Sequence, residues 1–261
     1  GPMDLEEYGL PRAEIETAYD EMMDFCLGRR EDFSAGVLAF SQSGADHFAD
    51  VRGLFLLDLR VLKCSAALLL AALEAVFALR LPKGKQTYAA CFAAPGYLPL
   101  LAGGGLLMAA GAVLLPGWSV LHIAAAVGGV ATAAGLVLFA RIVRGGGAVK
   151  CLPLIPAMLF GVLFLLAIYL PEGSNPVLAR YYLPVLAAAA ADCAIYQLAG
   201  IALGECGLRW FSWLGGLAVP LCLAALADCT ENPGWALVFL GWALVLTVFL
   251  LLRRTPEAEA A

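Results

Sequence analysis

Seven long apolar stretches, at residues 62–80, 94–115, 118–140, 151–170, 178–203, 210–227 and 234–252, constrain this chain more than anything else in it. An α-helix needs about 20 apolar residues to cross roughly 30 Å of hydrocarbon. Lipid offers the backbone no hydrogen-bond partners, so a spanning segment must satisfy itself as a helix. The stretches therefore predict an all-α, polytopic bundle of about seven transmembrane helices. A hydrophobic content of 62% and a charged content of 14% agree with that reading.

Positive charge gives the bundle an orientation. Arg80, Lys83 and Lys85 follow the first stretch, Arg141, Arg144 and Lys150 the third; Arg209 precedes the sixth, and Arg253 and Arg254 follow the seventh. The loops at 116–117, 171–177 and 228–233 hold neither Lys nor Arg. Lysine and arginine mark cytoplasmic loops, so the N-terminus is predicted outside and the C-terminus inside. Lys63 and Arg180, at the outer ends of their stretches, are expected to snorkel. Residues 1–60 then form an acidic, helical extracytoplasmic segment, 61–253 the bundle, and 254–261 a cytoplasmic tail. The first segment holds 13 of the chain's 21 acids and only five of its 16 bases. An acidic aqueous part argues against nucleic acid as a partner. Gly1-Pro2-Met3 reads as a processing scar and is set aside.

Within the first segment, residues 11–27 suggest an amphipathic helix, with Ile15, Tyr19, Met22 and Cys26 at helical spacing. Phe33–Gln42 reads as irregular, and Ser43–Asp46 as the start of a helix running toward the first span. Two small-residue stripes in the third stretch, Ala125/Gly129/Ala133 and Ala124/Gly128/Thr132, predict close helix contacts, as do Gly103–Gly105 and Ala187–Ala191. Pro153, Pro156, Pro184 and Pro220 are expected to bend their helices. Trp118, Trp210, Trp213, Trp235 and Trp242 read mostly as interfacial anchors. The eight cysteines form no C-x-x-C pair and read as small buried hydrophobes.

Ionisable groups within a bilayer are costly, which makes each a candidate site. Glu74 falls in the first span. Asp192 falls near the middle of the fifth, with Tyr196 one turn on and Gln197 beside it. Together these four could line a polar binding site, or bridge helices. The two histidines, His47 and His122, both fall at the predicted outer boundary, where an imidazole can serve as acid or base on a lipid ester. Gly145–Gly147 lies on a short basic loop. No nucleophile elbow, zinc-protease motif, Walker loop or dinucleotide fingerprint occurs, and no cofactor or metal is expected.

Residues 5–75 resemble the lipoprotein intramolecular transacylase (Lit) family of Gram-positive membrane proteins. The resemblance rests on Tyr8-Gly9-Leu10-Pro11, Tyr19-Asp20-Glu21-Met22-Met23-Asp24, Phe33-Ser34-Ala35-Gly36 and Ser43-Gly44-Ala45-Asp46-His47-Phe48-Ala49-Asp50-Val51-Arg52. It implies transfer of an acyl chain from the glyceryl group of a lipoprotein's terminal cysteine to that cysteine's amino group, with His47 in the place of the catalytic histidine. It also implies a further helix ahead of Met3. The family's later histidine motif, with paired phenylalanines, is not found after residue 80; His122 stands in Leu121-His122-Ile123-Ala124. Residues 90–253 resemble uncharacterised polytopic membrane proteins of clostridia through Pro176–Tyr182 and Leu226-Ala227-Asp228.

Two functions follow as expectations. One is an acyl-transferring enzyme acting on membrane lipid or lipoprotein at the outer face of a bacterial cytoplasmic membrane, with His47 as general base and His122 as its possible partner. The other is a small-solute transporter or binding subunit using Asp192, Tyr196, Gln197 and Glu74. A non-catalytic scaffold is the remaining alternative.

Overall fold

A computed structural model describes residues 11–92, 98–115, 119–144, 151–172, 182–226, 229 and 232–253. Among these residues the chain is all-helical. Tyr8–Leu10, Trp118, Gly145–Gly147, Lys150, Arg180, Asp228, Arg254 and the tail 254–261 lie outside them. The helices are α1 (Arg12–Cys26), α2 (Gln42–Leu79), α3 (Tyr88–Cys91), α4 (Leu98–Val113), α5 (Val120–Arg144), α6 (Ile155–Glu172), α7 (Tyr182–Ala202), α8 (Leu208–Leu226) and α9 (Pro233–Leu252). The chain divides into two compact units, Gly1–Ser65 and Ala66–Ala261.

Among the described residues, six helices are long and apolar enough to cross a membrane: α2, α5, α6 with the 3-10 turn before it, α7, α8 and α9. The stretch at 94–115 is described from residue 98 onward. Its described helix, α4, has 16 residues, about 24 Å at the usual rise and shorter than the hydrocarbon layer. The helix expected to start at Ser43–Asp46 and the first apolar stretch form one element. α2 runs unbroken for 38 residues, starting where the Ser41 hydroxyl accepts the Gly44 N–H at 3.1 Å. A side-chain oxygen in that position satisfies an otherwise orphaned helix-end donor.

In the second unit, α4 to α9 form a closed ring, each beside the next and α9 beside α4. Small residues set the contacts. Gly105 of α4 lies on Ala133 of α5, and Gly129 of α5 on Ala109 and Ala112 of α4. The other α5 stripe turns to α6, where Gly128 lies on Phe160 and Leu163. The two stripes thus serve two different neighbours. Ring closure rests on glycines seven residues apart in two antiparallel helices: Gly104 faces Gly241, and Gly111 faces Gly234. A Cβ at Gly241 would come within 2.7 Å of the Gly104 carbonyl oxygen, and one at Gly234 within 2.8 Å of that of Gly111.

Aromatic rings fill the interior. Phe160 and Phe164 of α6 meet Phe239 and Trp242 of α9, with centroids 5.3–6.0 Å apart. Phe92, Phe139, Phe211 and Phe249 form a second cluster with Tyr88. Trp242 is fully buried; it is a core residue and not the interfacial anchor its sequence position suggested. Of the four prolines expected to bend helices, Pro153 sits in the 3-10 turn and Pro156 and Pro184 in first turns, where no intrahelical N–H is lost. Only Pro220 is interior to its helix, α8.

Candidate functional site

The first unit is held by a carboxylate and a group of rings. Glu21, on α1, accepts the Ser34 hydroxyl at 2.5 Å and the Gly36 N–H at 2.8 Å through Oε2. Arg30 stands 3.4 Å from Oε1. The Ser34 hydroxyl first, then the Gly36 N–H and Arg30, hold the Glu21 carboxyl below the usual carboxylate range. The connection from α1 to α2 turns through Gly28 and Gly36, with φ of +74° and +58°, a region open to glycine at little cost. A Cβ added at Gly36 would lie 3.4 Å from the backbone of Ala18, in van der Waals contact with it.

Phe33, on this connection, meets Phe25 of α1 edge-on at 5.4 Å and stacks on Phe48 of α2 at 4.8 Å. Arg52 lies over the Phe25 ring at 4.8 Å and donates to the Glu31 carbonyl at 3.2 Å. These contacts fix one turn of α2, and His47 stands in that turn. Its ring meets Phe48 edge-on at 6.1 Å, it is exposed, and among the described residues it makes no hydrogen bond. Asp50 follows one turn later, also exposed. An imidazole beside a fixed aromatic anchor and open to solvent can take a proton from an approaching amine.

The other expected site residues belong to the second unit. His122, near the start of α5, is half-buried, and its Nδ1 lies 2.5 Å from the Ser119 hydroxyl. The same oxygen accepts the His122 N–H at 3.3 Å, an N-cap arrangement. Glu74 lies on the inward stripe of α2, with the buried Ala67, Ala71 and Ala78. It forms a two-pronged ion pair with Arg253 at the end of α9 and packs on Gly216 of α8. Arg253 also covers the Phe77 ring at 4.4 Å.

Asp192, on α7, rests against Gly161 of α6. Its Oδ1 is buried with no hydrogen-bond partner among the described residues. Tyr196 is 58% exposed and Gln197 half-buried; neither bonds Asp192. Glu74 thus has its own cationic partner and does not join Asp192, Tyr196 and Gln197 in one cluster. No group of three or more His, Cys, Asp or Glu residues able to hold a metal occurs among the described residues.

Glu21 was missed as a site residue. Two stretches singled out above, Tyr19–Asp24 and Phe33–Gly36, turn out to be each other's partners through it. Their joint appearance in the resemblance was the available signal.

The comparison with known families bears on this unit. Residues 3–115 match the model of the family described as lipoprotein intramolecular transacylase Lit. The match covers less than half of the chain and includes α1, α2, α3 and α4. It reaches well beyond the residue 75 at which the motifs above end. No curated protein and no solved structure matches the chain. The family match points to acyl transfer on lipoproteins, and the six apolar helices fit a multi-pass membrane protein.

Proposed function

We propose that this chain is a membrane acyltransferase that moves an acyl chain onto the amino terminus of a lipoprotein, with His47 as general base. The observation that carries the reading is the family match across the unit in which Glu21, Ser34, Gly36, Phe33 and Phe48 together fix the turn bearing His47. In the reaction, His47 takes a proton from the neutral cysteine amine as its nitrogen attacks the glyceryl ester carbonyl. The C–N bond forms, the ester C–O bond breaks, and the proton passes to the departing glyceryl oxygen. The charge pattern favours an N-out, C-in arrangement in a bacterial cytoplasmic membrane, which puts His47 on the side where lipoproteins are exposed.

Mass spectrometry of a reporter lipoprotein, from cells expressing this chain or its His47→Ala form, tests the proposal. The N-acylated lyso form is expected with the unaltered chain and absent with His47→Ala at equal membrane abundance. An unchanged diacylglyceryl form with the unaltered chain would overturn it.

One observation favours the solute-binding alternative, the unpartnered Asp192 oxygen between α6 and α7. The aromatic filling of the ring weighs against a wide polar passage through it. If Asp192→Asn abolished a solute-dependent growth phenotype while lipoprotein remained unmodified, that alternative would take precedence.

A further inference from the structure

His47, Asp50, Leu54, Leu57 and Val61 follow one another at spacings of three, four, three and four residues on α2. That spacing places them in one stripe down a single helix face. Leu54, Leu57 and Val61 are 66%, 55% and 55% exposed, and His47 and Asp50 are exposed above them. The stripe changes from titratable to apolar along its length, like an amphiphile. The apolar stretch that crosses the membrane begins at about its lower end, Val61–Leu62. His47 stands 14 residues above Val61 on the same helix, about 21 Å along the axis.

This distance matters for chemistry on a lipid ester. To bring the glyceryl ester to His47, the attached acyl chain must leave the hydrocarbon. Each methylene drawn into water costs about 0.8 kcal/mol, so a bare climb is prohibitive without apolar cover. An exposed apolar stripe continuous with the membrane-spanning part of α2 supplies such cover, and exposed contiguous apolar surface marks an interaction site more often than not.

We propose that Leu54, Leu57 and Val61 form the seat for the acyl chain of the lipidated substrate, which lies along α2 with its ester end at His47. The inference rests on the transacylase reading. It predicts that polar side chains at positions 54 and 57 weaken binding of long-chain substrate and leave a short-chain analogue unaffected.

The test places a photoreactive amino acid at position 54, 57 or 60 of the full chain in phospholipid vesicles. The probe is a diacylglyceryl-cysteine peptide tritiated in its acyl chains. Position 60 lies at the same depth, about 100° round the helix from Val61. Label is expected at 54 and 57 several-fold above 60, removed by excess unlabelled lipidated peptide and retained in the His47→Ala background. Equal label at all three positions, label displaced equally by plain phospholipid, or adducts to a second copy of this chain overturn the seat. N-acyl product is measured in the same vesicles. Product without label overturns the seat and keeps the transfer reading; label without product does the reverse.

Discussion

Glu21 shows how one side chain can hold a loop in place. Its carboxylate takes two donors from Ser34 and Gly36, and charge-assisted bonds of this kind are stronger than neutral ones. Because the folded Glu21 holds its proton less tightly than usual, its contribution is complete above the ordinary carboxylate pKa. It is lost as pH falls through the lower folded value. The protection factor of the Gly36 amide, its exchange relative to an unstructured peptide at the same pH, should therefore fall below about pH 4.5, and Glu21→Gln should lower it at neutral pH and flatten its pH dependence. An unchanged Gly36 exchange rate in Glu21→Gln would show that the aromatic contacts alone hold the loop. His47 was legible as a candidate because only two histidines occur and one lay in a family-like context. Glu21 was not, since its partners lie 13 and 15 residues away across a turn that depends on two left-handed glycines.

Between elements, glycine spacing decides which helices touch. The Gly104–Gly241 and Gly111–Gly234 contacts leave no room for a larger residue. Gly241→Leu should separate α4 from α9 and cost at least the 1–3 kcal/mol typical of overpacking. Gly103 has nothing within 4 Å of a Cβ, so Gly103→Ala should stay within about 0.5 kcal/mol of the parent. Thermal unfolding in detergent would compare them, and equal midpoints for both variants would refute the packing argument. The α5 stripes were legible because their residues are close in sequence. The α4–α9 pair was hidden, since its two halves are far apart in the chain and Gly103–Gly105 alone names no partner. Helix ends were legible where apolar runs stop at charge, as α9 does at Arg253.

For the whole molecule, the family match ends after α4, but the contacts do not. Glu74 pairs with Arg253, Lys85 with Glu205, and Arg209 donates to the carbonyls of Leu79 and Leu81. Gln86 accepts the Leu208 N–H at 3.4 Å. Within the second unit, the matched residues 74–86 and the unmatched remainder are therefore joined by complementary charges and hydrogen bonds. Removing one member of a half-buried ion pair strands the other. Arg253→Met should thus destabilise the protein by about 2–4 kcal/mol, and adding Glu74→Gln should recover part of that loss. A double variant as unstable as the sum of the two single ones would show that the pair carries no coupling. Part of this was legible beforehand: bridging of helices was one of the two readings of Glu74, but Arg253 was read only as a topological signal and not as its partner.

Closure of the ring also has a meaning in time. The α4 surface that receives α9 leaves the ribosome long before α9 exists, and it carries bare glycine backbone, Gly104 and Gly111, on its contact face. Until α9 arrives, that face must be occupied by lipid or by something that later yields its place. The contact that closes the ring is then made late, by the order in which the helices are synthesised, and a chain released before Pro233 would lack the partner of Gly104 and Gly111.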